Sequence, residues 1–110
     1  MKIAVIGAGN MGGALARGLA KGRRIATSDI YVSNPSSAKL EALKAEFPEI
    51  NTSSDNCAVV READIIILAV KPWKVEEVLA QIKPHIDYSR QAVASLVGGL
   101  GIAQDRKSVV

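Results

Sequence analysis

Two segments of this chain, Ile3-Ala4-Val5-Ile6 and Ile65-Ile66-Ile67-Leu68-Ala69-Val70, are apolar at every position. Neither shows the apolar-polar alternation of a strand with one wet face. Both are rich in β-branched residues, which suit a pleated, packed surface. Both are far shorter than the roughly 20 residues that span a membrane as a helix. Strands of this kind must be covered on both sides, which predicts a parallel sheet between two layers of helices.

The intervening sequence supplies those helices. Met11, Ala14, Leu15 and Leu19 recur at helical spacing up to a stop at Gly22. Ile30-Tyr31-Val32 reads as a second strand. Asn34-Pro35 then offers a capping residue with proline at the first helical position, opening a helix over 36–47 on the stripe Leu40, Leu43 and Phe47. Pro48 ends it. A weak third strand over 50–52 and a short helix over 55–61 precede a central strand over 64–70. Lys71-Pro72 breaks the chain, Val75, Val78, Leu79 and Ile82 mark another helix, and 91–96 reads as a fifth strand. Alternation of this kind needs right-handed crossovers, and the expected strand order is 3-2-1-4-5. The fold class is thus α/β, a doubly wound parallel sheet with helices on both faces.

The 110 residues allow one core and read as one unit without repeats or linkers. The tail departs from this pattern: Gly98-Gly99-Leu100-Gly101 reads as flexible, and Lys107-Ser108-Val109-Val110 resembles a strand cut off as it begins. The chain therefore reads as truncated.

A composition of 48% hydrophobic and 23% charged residues excludes disorder. The net charge of +3 is too mild for a nucleic-acid partner, although residues 1–24 hold Lys2, Arg17, Lys21, Arg23 and Arg24 and no acid. One cysteine, Cys57, can form neither an internal disulfide nor a clustered metal site. Met1-Lys2-Ile3 runs into strand sequence without a leader pattern. A cytoplasmic protein with no membrane association is expected.

The strongest chemical signal is Gly7-Ala8-Gly9-Asn10-Met11-Gly12 between the first strand and the first helix. This is the Rossmann-type dinucleotide fingerprint: the first glycine allows a tight turn, the second admits a pyrophosphate to the backbone, and the third lets helix and sheet pack closely. Free N–H groups and the helix dipole at the helix start favour phosphate. About 20 residues beyond the glycines, where an NAD site usually carries an acid, Val32-Ser33-Asn34-Pro35-Ser36-Ser37 has none, and Lys39 follows. NADP(H) is favoured as cofactor, with NAD(H) possible; the serines can cap the second helix as well.

Lys2 to Gly12, Val32-Ser33-Asn34-Pro35 and Ala63 to Pro72, with its Ala-Val-Lys-Pro, closely resemble the amino-terminal half of pyrroline-5-carboxylate reductase, from residue 2 to about 101. The resemblance implies an NAD(P)H-dependent oxidoreductase that reduces 1-pyrroline-5-carboxylate to L-proline in proline biosynthesis. It implies that Ser33 and Ser36 lie at the adenosine phosphate, Asn56 at the adenosine, and Val70, Lys71, Pro72 and Ala94 (with Ser95) along the nicotinamide. It also implies a helical domain, absent from these 110 residues, that binds the substrate carboxylate and forms most of a homo-oligomer interface. The chain alone is expected to be inactive. Val97-Gly98-Gly99 departs from the common Ala-Ala-Gly of the family.

No catalytic residue is assigned. His85 reads as a surface residue, Cys57 as packing, Trp73 as an aromatic on its own helix and Glu76-Glu77 as a solvated face; Lys71, at the carboxyl end of the central strand, has a better claim to the site. None makes a metal site. Two other readings share the glycine loop: another NADP-dependent dehydrogenase, such as a β-hydroxyacid dehydrogenase, against which Val-Lys-Pro speaks, and a non-catalytic NADP(H)-binding module.

Overall fold

A computed structural model describes residues 1–22 and 24–96. The loop at Val97-Gly98-Gly99, the rest of the glycine-rich tail and the 107–110 segment lie outside the described residues.

Five parallel strands, β1 (Ile3–Ile6), β2 (Ile30–Ser33), β3 (Asn51–Ser53), β4 (Ile65–Leu68) and β5 (Ala92–Ser95), form one sheet in the order β3-β2-β1-β4-β5. Helices α1 (Asn10–Lys21), α2 (Ser37–Glu46), α3 (Asn56–Glu62) and α4 (Val75–Ile82) fill the crossovers. Successive side chains of a strand point to opposite faces, so the all-apolar strands feed two separate cores. Ile3 and Val5 of β1, with Ile30 and Val32 of β2, pack against Ala16 of α1 and Leu40 and Leu43 of α2. Ala4 and Ile6, with Ile66, Leu68 and Val93, pack against Val59 and Val60 of α3 and Val78 and Ile82 of α4. β1 is fully covered because both layers reach it, and on β2 only Tyr31 is partly exposed. On β4, Ile65 and Ile67 remain partly exposed on the α1–α2 side.

The doubly wound sheet and its order follow the sequence reading. Three local expectations change. The central strand stops at Leu68, because the chain turns away from the ladder after the Ala69 N–H has bonded the Ile6 carbonyl at 2.9 Å. The third strand begins at Asn51 rather than 50, since Ile50 is directed into the α1–α2 core and is fully buried. The second helix starts at Ser37 with Ser36 as its cap; Asn34 is no cap, because its side chain is bonded elsewhere. Among the described residues no helix is long and apolar enough to cross a membrane.

Candidate cofactor site

The carboxyl ends of β1, β2 and β4 meet where strand order reverses on either side of β1, the place where open α/β sheets bind ligands. The glycine loop leaves β1 there. Gly7 has φ 106°, a left-handed conformation that favours glycine, and a Cβ at this position would come within 2.8 Å of the Ala69 carbonyl oxygen. A side chain at Gly12 would run into the Gly7 carbonyl oxygen, so the first turn of α1 can sit on the loop only without one.

Gly9 differs from both. It caps α1 in extended backbone, φ −71° and ψ −160°, and a Cβ there would meet nothing within 4 Å. The space it would enter lies before the first turn of a 12-residue helix. No side chain caps that turn and no acid lies in it, so its N–H groups and positive dipole end face the opening. Asn10 and Met11 are exposed beside it. These features fit a pyrophosphate.

Main-chain bonds hold this loop and the loop after β2 in place. The Gly7 N–H donates to the Ser33 carbonyl at 2.8 Å, and the Asn34 N–H donates to the Ser53 carbonyl at 3.2 Å. The Ala8 N–H donates to Asn34 Oδ1 at 3.0 Å in a buried bond. Asn34 Nδ2 in turn donates to the Ser36 carbonyl at 3.2 Å.

On the other side of β2, Ser33 is fully buried and its hydroxyl donates to Asn56 Oδ1 at 2.6 Å. Asn56, the first residue of α3 and half-buried, donates Nδ2 to Gln81 Oε1 at 2.9 Å. The Ser33 side chain thus faces Asn56 from within the fold, while Pro35, Ser36, Ser37 and Lys39 are exposed at the start of α2. The Asp55 carboxylate caps α3 by accepting the Cys57 N–H at 2.9 Å. No local sequence pattern points to Gln81, which lies 25 residues from Asn56.

Beyond β4, Val70 is half-buried, and Lys71 and Pro72 are exposed ahead of a single 3₁₀ turn over Pro72–Lys74. Trp73 is 75% exposed, not packed on its helix as expected, because that turn carries it off the body before α4 begins. Ala94 is 8% exposed on β5. His85 is exposed far along the chain from the glycine loop, and Cys57 is half-buried, its Sγ 3.5 Å from the Gln81 carbonyl oxygen. Among the described residues no cluster of His, Cys, Asp or Glu could hold a metal ion.

This sheet order, with an uncapped helix start behind a glycine loop at the switch point, defines the Rossmann-type class of α/β domains. Residues 2–98 match the family described as NADP oxidoreductase, coenzyme F420-dependent, and the chain belongs to that family. It is 39% identical over 102 residues to a pyrroline-5-carboxylate reductase of Methanosarcina acetivorans, an alignment covering 93% of this chain and 37% of that protein. Among solved structures it is similar to a Plasmodium falciparum pyrroline carboxylate reductase with NADP bound, at 33% identity and TM-score 0.76 over 99% of this chain and 38% of that one. It is likewise similar to a pyrroline-5-carboxylate reductase from Coxiella burnetii, at 31% identity and TM-score 0.81 over 87% of this chain and 35% of that one. The chain thus spans a little over a third of the length of these relatives and resembles their amino-terminal portion.

Proposed function

We propose that this chain is the NADP(H)-binding part of an oxidoreductase that reduces 1-pyrroline-5-carboxylate to L-proline. The observation that carries the reading is the open space at Gly9 before the uncapped start of α1, together with the likeness to a reductase whose structure holds NADP. In this reading the loop from Gly7 through Ala8, Gly9, Asn10 and Met11 to Gly12 receives the pyrophosphate. Ser36 and the start of α2 receive the adenosine phosphate, Ser33 supports Asn56 at the adenosine, and Asn34 braces the loops. Val70, Lys71, Pro72 and Ala94 line the nicotinamide side. When bound, the nicotinamide supplies the hydride; the protein's part is to orient it and exclude water.

The same reading assigns residues 1–110 to a cofactor domain. The substrate's carboxylate anchor and the surface for self-association belong to a helical portion of the whole enzyme, which works in the cytoplasm in amino-acid biosynthesis. A preference for NADPH over NADH rests on the absence of an acid after Val32 and on the exposed Ser36, Ser37 and Lys39. Calorimetric titration of both cofactors at one ionic strength tests it, with NADPH expected to bind more tightly; equal affinity or a preference for NADH overturns it. Following NADPH absorbance with 1-pyrroline-5-carboxylate tests the division of labour, with binding but negligible turnover expected from these residues alone.

A further inference from the structure

We infer that Asn34 is a positioning residue that sets the choice between NADPH and NADH, through bonds to backbone rather than to the cofactor. The inference rests on the cofactor site proposed above and assigns this side chain a role inside it. Asn34 is only 9% exposed, and both ends of its amide are used. Oδ1 accepts the Ala8 N–H at 3.0 Å, fixing the middle of the glycine loop. Nδ2 donates to the Ser36 carbonyl at 3.2 Å, fixing the residue that caps α2. Its own N–H bonds the Ser53 carbonyl at the end of β3. One residue therefore ties the pyrophosphate loop to the loop that would meet a phosphate on the adenosine ribose.

Only an amide can do this. A carboxylate in the same place would accept the Ala8 N–H as well or better, but it has no proton for the Ser36 carbonyl, so two oxygens would oppose one another. Its charge would also lie beside the exposed start of α2, where it repels phosphate. Acids near the end of the second strand accompany NAD in this fold, and the geometry here gives a structural reason: the exchange preserves the pyrophosphate side and disrupts the adenosine-phosphate side. A purely structural role for Asn34 would weaken both cofactors alike.

The test is calorimetric titration of NADPH and NADH into the whole chain as wild type, Asn34→Asp and Asn34→Ala, with circular dichroism as the check of folding. Asn34→Asp is expected to weaken NADPH at least about tenfold while NADH stays within about threefold. Asn34→Ala removes both bonds without adding charge and is expected to weaken both cofactors, NADPH by at least about threefold more than NADH, because only NADPH uses the loop held at Ser36. A folded Asn34→Asp that changes both affinities by the same factor overturns the inference. If that variant does not fold, an Asn34→Ala that leaves both affinities unchanged or weakens both by the same factor overturns it instead. Wild-type protein that binds neither cofactor overturns the underlying reading and the inference with it, whereas wild-type binding of both, with the variants indifferent, overturns the inference alone.

Discussion

The buried Ser33 hydroxyl donates to Asn56 Oδ1 at 2.6 Å, joining the last residue of β2 to the first residue of α3. The bond orients an amide whose other end is held by Gln81 at 2.9 Å. Ser33→Ala removes the inner donor and leaves the outer partner, which is exposed. A loss of about 1 kcal/mol in stability is expected, read as a lower denaturant midpoint at unchanged slope. A modest weakening of NADPH should accompany it as the amide loses its fixed orientation.

Gly9 and Gly12 should separate binding from folding. Gly9→Ala places a methyl group in open space and exchanges a good cap residue for a poor one, so a stability cost of about 1 kcal/mol or less is expected, with NADPH affinity reduced at least about tenfold. Gly12→Ala drives a methyl group into the Gly7 carbonyl, and a cost of about 1–3 kcal/mol or more is expected as α1 is pushed off the loop. Denaturation and cofactor titration of the two variants check the contrast; equal stability of the two proteins would contradict it.

Gln91 is a structural residue with a measurable effect. It is 3% exposed, and its Nε2 donates at 2.7 Å to both the Val60 and Ala63 carbonyls at the end of α3, while Oε1 accepts the Asp87 N–H at 2.9 Å. Gln91→Leu keeps the volume and deletes all three bonds. Losing three bonds, two of them buried, is expected to cost about 1–3 kcal/mol, measured by chemical denaturation, with the cofactor preference unchanged.

Asp87 provides a pH prediction far from the site. The Ser89 hydroxyl at 2.6 Å and the Ser89 N–H at 3.0 Å both donate to its carboxylate and hold its pKa below the ordinary 3.8. A pKa lowered on folding contributes stability that is present above the unfolded value and lost as pH falls through the folded one. This contribution should therefore fade on acidification below about pH 4. Carboxyl NMR titration of Ser89→Ala is expected to show the Asp87 pKa rising toward 3.8; an unmoved titration would show that the hydroxyl is not the cause.

The sheet was legible because its signals are local. Ile3–Ile6 and Ile65–Leu68 carry no polar residue and form the central strand of the sheet and one of the two strands beside it. The glycine loop was legible for the same reason, since a six-residue pattern contains its own geometry. Asn34 reads as a helix cap in the sequence because Asn-Pro is a local cap signature. Its amide oxygen is taken by Ala8, 26 residues away, and α2 begins at Ser37 behind Ser36. The Ser33–Asn56–Gln81 chain joins three elements across 23 and 25 residues, and such pairings exist only once the sheet has assembled.

The main-chain bonds from Gly7 to Ser33, from Asn34 to Ser53 and from Ala69 to Ile6 fasten the loops that leave β1, β2 and β4 to the ends of the neighbouring strands β2, β3 and β1. An anion arriving at Gly9 therefore meets a cradle shaped during folding, and little conformational entropy is lost on contact. Sensitivity to crowding of the loop should follow from that rigidity: a cradle that cannot relax around an added methyl group holds an anion far more weakly, where a pliant one would yield.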